Sequence, residues 1–203
     1  MELLITRRIY MSLLRDRIIN DGKVIDEKIL KIDNFLNHQI DPEVMHEIQQ
    51  EFVQYFQDKG ITKVLTIEAS GIAPAIMTAA SFNVPMLFAK KTTPSTLKNE
   101  TRYSTDIHSF TKDITSRVII SKEYLSEDDC VLIIDDFLAN GNASLGLIDL
   151  VRQAGARVAG VGICVEKSFQ PGRQALEEQD IDVYSICRIA SLEGNQVHFI
   201  EGH

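Results

Sequence analysis

The stretch Val131-Leu-Ile-Ile-Asp-Asp-Phe-Leu-Ala-Asn-Gly-Asn-Ala-Ser144 holds the residues best suited to chemistry. Its four apolar residues, 131–134, predict a buried strand, and two adjacent carboxylates, Asp135 and Asp136, stand at the carboxyl end. A short loop with Gly141 follows and enters a helix expected over 144–154. In open α/β sheets, ligands bind beyond the carboxyl ends of the strands. A glycine-bearing loop entering a helix offers unpaired N–H groups and a positive dipole end, which suits a phosphate. Two neighbouring buried carboxylates repel each other, so a cation or sugar hydroxyls are expected to offset them. The plain alternative, a helix-capping turn, explains neither the buried run nor the acid pair.

These residues need a scaffold, and the hydrophobic pattern supplies one. A helix is expected over 11–22, ending at Gly22, and a second from the cap Asp41-Pro42, with Val44, Ile48, Phe52, Tyr55 and Phe56 as its stripe and Gly60 as its end. Beyond it, strands at 64–67, 84–88, 117–121, 131–134, 158–165, 183–186 and 197–200 are interspersed with helices at 73–80, 144–154 and 173–179. Continuous apolar strands alternating with helices imply an α/β fold, a parallel sheet covered on both faces. The segment 89–113 breaks this rhythm: it is rich in Thr, Ser and Lys and long for a loop inside a compact domain. A mobile cover over a site is the favoured reading, and a solvated β-hairpin the alternative.

Composition narrows the classes. The chain has 203 residues, of which 44% are hydrophobic and 25% charged, as expected of one globular domain with elaborations. Its formal net charge is −8, which disfavours a nucleic-acid partner, so any phosphate must be held by a local device. No apolar run reaches the ~18 residues a membrane span requires, and the first residues do not read as a secretory signal. Cys130, Cys164 and Cys187 each lie in an apolar run and read as buried thiols of a cytoplasmic protein. The histidines show no metal-ligand spacing, and no protein metal site is expected. Met11 is a candidate translation start, because residues 1–10 predict no element.

The acid pair and Ala-x-Gly loop resemble the phosphoribosyl-diphosphate (PRPP) motif of type I phosphoribosyltransferases. Three further runs are similar to the xanthine-using branch of that family: Leu30-Lys-Ile-Asp-Asn-Phe-Leu-Asn-His-Gln-Ile-Asp41, Ile67-Glu-Ala-Ser-Gly-Ile-Ala-Pro74 and Glu166-Lys-Ser-Phe-Gln-Pro-Gly172. The resemblance spans nearly the whole chain. It implies one domain over 1–203, with a mainly parallel central sheet flanked by helices and a small hood formed from about 24–40 and about 168–203. It also implies a cytoplasmic homodimer acting in purine salvage, with Mg²⁺ held mainly through PRPP or diphosphate.

Site roles follow from the same resemblance. Ala139, Asn140, Gly141, Asn142, Ala143 and Ser144 should cradle the 5′-phosphate, and Asp135 and Asp136 should face the ribose and the charge developing at its anomeric carbon. Ser70 and Gly71 should hold the diphosphate. Adenine-using relatives commonly carry Arg where Ser70 stands, so Lys90 or Lys91 is expected to supply the lost charge. For the base, Lys167 suits a 6-oxo group, because an ammonium only donates. Phe169 should stack on the ring, while Leu30 and Asn37 complete the wall.

The departures from the family pattern are informative. Asn140, Asn142 and Ala143 replace Thr, Gly and Thr, so phosphate binding should lean on backbone N–H groups, Ser144 and the Asn amides. Ala139 stands where hypoxanthine–guanine enzymes carry an aspartate, so the purine is expected to enter already deprotonated. A PRPP-sensing regulator is the main rival, disfavoured by the acidic chain and by the roughly 30 residues before the first shared run. A dinucleotide-binding oxidoreductase is weaker, because Gly160-x-Gly162 lies within a strand and Val165 stands at the third glycine position.

Overall fold

The computed structural model describes residues 12–91, 101–109 and 114–200. Met11 therefore lies outside the described residues, as do 92–100 and 110–113 of the long segment. Helix α1, Leu13–Asp21, is capped by the Ser12 side chain, which accepts from the Arg15 N–H, and it ends at Gly22. Strands β1, Lys23–Ile25, and β2, Ile29–Lys31, form an antiparallel hairpin, followed by a π-helical turn at Asp33–Asn37. Helix α2, Pro42–Phe56, starts as its sequence predicts: Pro42 occupies the first turn, and Asp41 accepts the Glu43 N–H at 3.0 Å. Its Val44, Ile48, Phe52 and Phe56 are buried, whereas Tyr55 is exposed at the edge of the stripe.

The alternating part of the chain gives β3 (Lys63–Ile67), α3 (Ile72–Phe82), β4 (Met86–Ala89), β5 (Arg102–Ser109), β6 (Ile114–Ser121), β7 (Cys130–Leu138), α4 (Asn142–Gln153), β8 (Arg157–Lys167), α5 (Gly172–Glu177), β9 (Val183–Ser191) and β10 (His198–Phe199). The central sheet has the order β10-β9-β8-β7-β3-β4, with every pair parallel except β10 with β9. Strand β7 shows why its run is apolar throughout. Leu132 and Ile134 enter a core packed by α1, α2 and α3, while Val131 and Ile133 enter the opposite core beneath α4. Each side chain in turn meets a helical layer, so no face of the strand is left for water. All three cysteines are buried and free.

Two expectations change. The segment 89–113 is not loop throughout: Arg102–Ser109 forms β5 and pairs antiparallel with β6. Tyr103, Thr105 and Ile107 are partly buried while Ser104 and Asp106 are exposed, a period of two in which Thr stands among the inward residues. That substitution dilutes the hydrophobic signal. The region expected as the C-terminal hood instead contributes β9 and β10 to the central sheet, because β9 pairs with β8 from Val183 to Ile189. What meets the β1–β2 hairpin is the turn Glu193–Asn195: the Gly194 N–H donates to Glu27 Oε1 at 2.9 Å.

Candidate active site

Strands β3 and β7 end side by side, and the loops leaving them face one cavity of about 480 Å³. It is lined by Glu68, Ala69, Ser70 and Gly71 after β3, by Asp135–Leu138 of β7, and by Ala139–Ser144 leading into α4. The sequence-predicted phosphate and sugar residues are thus brought together at the carboxyl edge of a parallel sheet. Strand β7 continues past the acid pair, with Phe137 paired to Val165 and Leu138 to Glu166 of β8, so sheet hydrogen bonding fixes the carboxylates in place.

Asp135 is buried and Asp136 half-buried. Desolvation raises the Asp135 pKa well above the usual carboxylate range, and the neighbouring Asp136 charge raises it further. Two features offset this in part: the Asp136 N–H, which donates to Asp135 Oδ1 at 3.0 Å, and the positive charge of Lys91. Gly71 packs against this carboxylate: a Cβ there would lie 3.2 Å from Asp135 Oδ1 and collide with Thr66 Oγ1. A side chain at position 71 would therefore displace Thr66 and crowd the Asp135 carboxylate.

The loop between β7 and α4 depends on two glycines. Gly141 has φ 83°, the left-handed conformation in which side chains are strained, and it caps α4. Gly172 lies against it and donates its N–H to Ala139 O at 3.0 Å. A Cβ on Gly172 would strike Ala139 O and come within 2.9 Å of the Gly141 nitrogen. The loop is also tied to the hairpin. Asn142 Nδ2 donates to His108 O at 2.8 Å, so one of its two N–H groups anchors β5, while the residue itself lines the cavity.

Of the two lysines, Lys91 lines the cavity, whereas Lys90 does not. The Lys90 backbone pairs with Ile119 of β6, and its ammonium lies 5.5 Å from the Phe88 ring centroid. Alternation along the strand end turns the two side chains in opposite directions. Lys91 is fixed by its N–H, which donates to Glu68 Oε1 at 2.7 Å. Phe137, Ile107, His108, Ser116 and Val118 also line the cavity and were not anticipated. Phe137 sat inside the quoted motif; the other four belong to the β5–β6 hairpin, of which the sequence predicted only the strand 117–121 holding Val118.

The four residues expected at the base lie outside this cavity lining. Lys167 stands at the end of β8 with its ammonium 5.8 Å from the Phe137 ring centroid, donating to Lys28 O at 3.0 Å. Burial lowers its pKa. Leu30 is buried in the core under the β1–β2 hairpin, and Asn37 ends the π-helical turn. Asn37 Oδ1 is a buried acceptor with no hydrogen-bond partner among the described residues. Phe169 is 45% exposed. Beside Lys167, Glu166 is 1% exposed and accepts from Arg173, Ser168 and Ser185. Burial alone would raise its pKa, but these hydrogen bonds prevail and hold it at about 2. It is a clamp joining β8, α5 and β9, and it has no affinity for a proton near neutral pH.

Among the described residues no helix is long and apolar enough to cross a membrane, and no three His, Cys, Asp or Glu side chains gather as a metal-ligating cluster.

Comparison with known proteins gives a consistent result. The phosphoribosyl transferase domain family matches residues 32–198. Xanthine phosphoribosyltransferases of Staphylococcus aureus strains JH9 and Newman are each 64% identical over 190 residues, covering 94% of this chain and 98% of the relative. Among solved structures, adenine phosphoribosyltransferase from Rhodothermus marinus superimposes with a TM-score of 0.70 at 21% identity, over 86% of this chain and 97% of that one. The Giardia lamblia enzyme complexed with 9-deazaadenine gives 0.70 at 20% identity, over 82% and 93%. The structural likenesses speak to fold, and the close relatives to lineage: an acid pair near the carboxyl end of a parallel strand, with a glycine-turned amide loop beside it, belongs here to a member of the phosphoribosyltransferase family.

Proposed function

We propose that this chain transfers the phosphoribosyl group of PRPP to xanthine, giving xanthosine 5′-monophosphate and diphosphate. The observation that carries the chemistry is the shared cavity of Asp135, Asp136 and the Gly141 loop. The choice of base is supported by the 64% identity to relatives named for xanthine. The bond from the anomeric carbon to diphosphate breaks and one to a purine ring nitrogen forms, through a loosely bonded, positively charged sugar. Catalysis is then positioning and electrostatics. The loop N–H groups hold the 5′-phosphate, Ser70, Gly71 and Lys91 the diphosphate, and the acid pair stabilises the sugar cation. The cavity holds an adjacent carboxylate pair, and among the described residues no three ligating side chains gather, which fits Mg²⁺ carried chiefly by the diphosphate with Asp135 and Asp136 nearby. Bound there, Mg²⁺ would neutralise the leaving group.

Among the described residues expected around the base, none is set up to take its proton: Ala139 carries no acid or base, and Glu166 is saturated. The purine therefore enters as its anion, which favours xanthine, the more acidic oxopurine. Lys167 donates to the 6-oxygen, with Asn37, Leu30 and Phe169 around the ring. The reading includes a cytoplasmic homodimer. A competition assay with xanthine, guanine and hypoxanthine, PRPP and Mg²⁺ tests it. Xanthine should be consumed fastest, with a turnover that rises with pH as xanthine ionises. Absence of diphosphate release with every purine would leave a PRPP-binding regulator in its place.

A further inference from the structure

Asp26 and Glu27 are the central residues of the turn between β1 and β2, closed by the Lys28 N–H donating to Ile25 O at 3.1 Å. Both are left-handed, with φ 51° and 53°. A turn of this kind favours Asn-Gly or Asp-Gly, because side chains are strained there, and Glu is poorly suited to the second place. The strain is held from outside. The Gly194 N–H donates to Glu27 Oε1 at 2.9 Å, and the Glu27 N–H donates to Asn195 Oδ1 at 3.2 Å. Gly194 and Asn195 are themselves left-handed, at 62° and 57°. Two turns far apart in sequence thus clasp each other through reciprocal bonds. The residue after Glu27, Lys28, directs its carbonyl at Lys167 Nζ, 3.0 Å away.

A strained turn persists where its surroundings over-determine it, and such turns cluster at functional sites. An ammonium has three donors and rotates freely on a long stem, so one fixed acceptor decides where the other two point. We infer that the clasp of Glu27 with Gly194 and Asn195 is a positioning device for Lys167, holding the Lys28 carbonyl where it aims the ammonium at the 6-oxygen of the base. The inference rests on Lys167 being the base-facing donor. Burial, which disfavours the charged lysine, makes a fixed carbonyl acceptor more valuable.

Steady-state kinetics of clasp variants test this. Glu27→Ala should raise the KM for xanthine about threefold to tenfold, the effect of losing ordered hydrogen bonds. The KM for PRPP and kcat should stay within about twofold of the unsubstituted chain, as expected for a loss of base binding alone. Glu27→Gln keeps an oxygen acceptor for the Gly194 N–H and should behave like the unsubstituted chain. Glu27→Gly relaxes the left-handed turn yet lacks the acceptor, so it should raise the xanthine KM as Ala does while folding readily. Asn195→Ala should act in the same direction, and the double variant should fall short of the summed effects. An unchanged xanthine KM in both Glu27→Ala and Glu27→Gly overturns the inference, as does an equal rise in the KM for PRPP. Lys167→Met separates the two readings. If it leaves the xanthine KM unchanged, the base-site reading fails; if it raises that KM while the Glu27 variants do not, only the clasp fails.

Discussion

Asp135 is the residue at which stability and chemistry oppose each other. Its pKa is raised by burial and by the Asp136 charge, so the ionised form destabilises the folded chain at neutral pH. The cost is absent below the ordinary carboxylate range, grows as pH rises, and is complete above the raised value. Asp135→Asn should therefore raise the melting temperature at pH 7, by about 2–4 °C per kcal/mol recovered, with the gain shrinking as pH falls. Paired thermal melts from pH 7 down to pH 4 check this, and a destabilised Asn variant at pH 7 would count against it. Asp136→Asn should lower kcat about a hundredfold while changing the KM for PRPP little, since a charge aimed at the developing cation acts in the transition state. Unchanged turnover would remove Asp136 from that role.

At the scale of elements, the loop 139–144 and the segment 167–172 are packed together, because Gly172 touches both Ala139 and Gly141. Gly172→Ala should push a methyl group into the backbone of the loop 139–144. A loss of about tenfold to a hundredfold in kcat/KM for PRPP is expected, measured with the base saturating. The same loop shows what the sequence made legible. A buried run, an acid pair and Gly141 are local features, and they identified the cavity's centre. The Lys90/Lys91 choice depended on where β4 stops alternating, which only its pairing with β6 settles. Of the hairpin's cavity residues, Val118 lay in the expected strand 117–121, while Ile107, His108 and Ser116 were hidden because Thr105 and Ser116 take places where an apolar residue would have marked a strand. Gly146 is a related case: a Cβ there would lie 2.5 Å from Ile107, so its lack of a side chain serves helix-to-hairpin packing.

Across the whole molecule, Glu166 links three elements that sequence periodicity treats separately: the end of β8, helix α5 through Arg173, and β9 through Ser185. With its pKa held at about 2, below the ordinary 4.5, its contribution is full above the ordinary value and lost as pH falls from about 4.5 to about 2. Glu166→Gln should thus be clearly less stable than the unsubstituted chain in urea at pH 7, with the gap narrowing at pH 3. A gap independent of pH would mean that the carboxylate's charge is not what binds the elements. The architecture was legible from alternation alone, since parallel strands and covering helices leave a periodic trace. The hood was not, because β9 joins the sheet through a partner strand that its own sequence does not specify.

The central sheet's two rims are both guarded. One is β10, only two residues long, and at the other the backbone following β4 is already engaged at Lys90 by Ile119. Both rim strands are short, two residues in β10 and four in β4, which leaves little edge for a strand of a neighbouring molecule to extend.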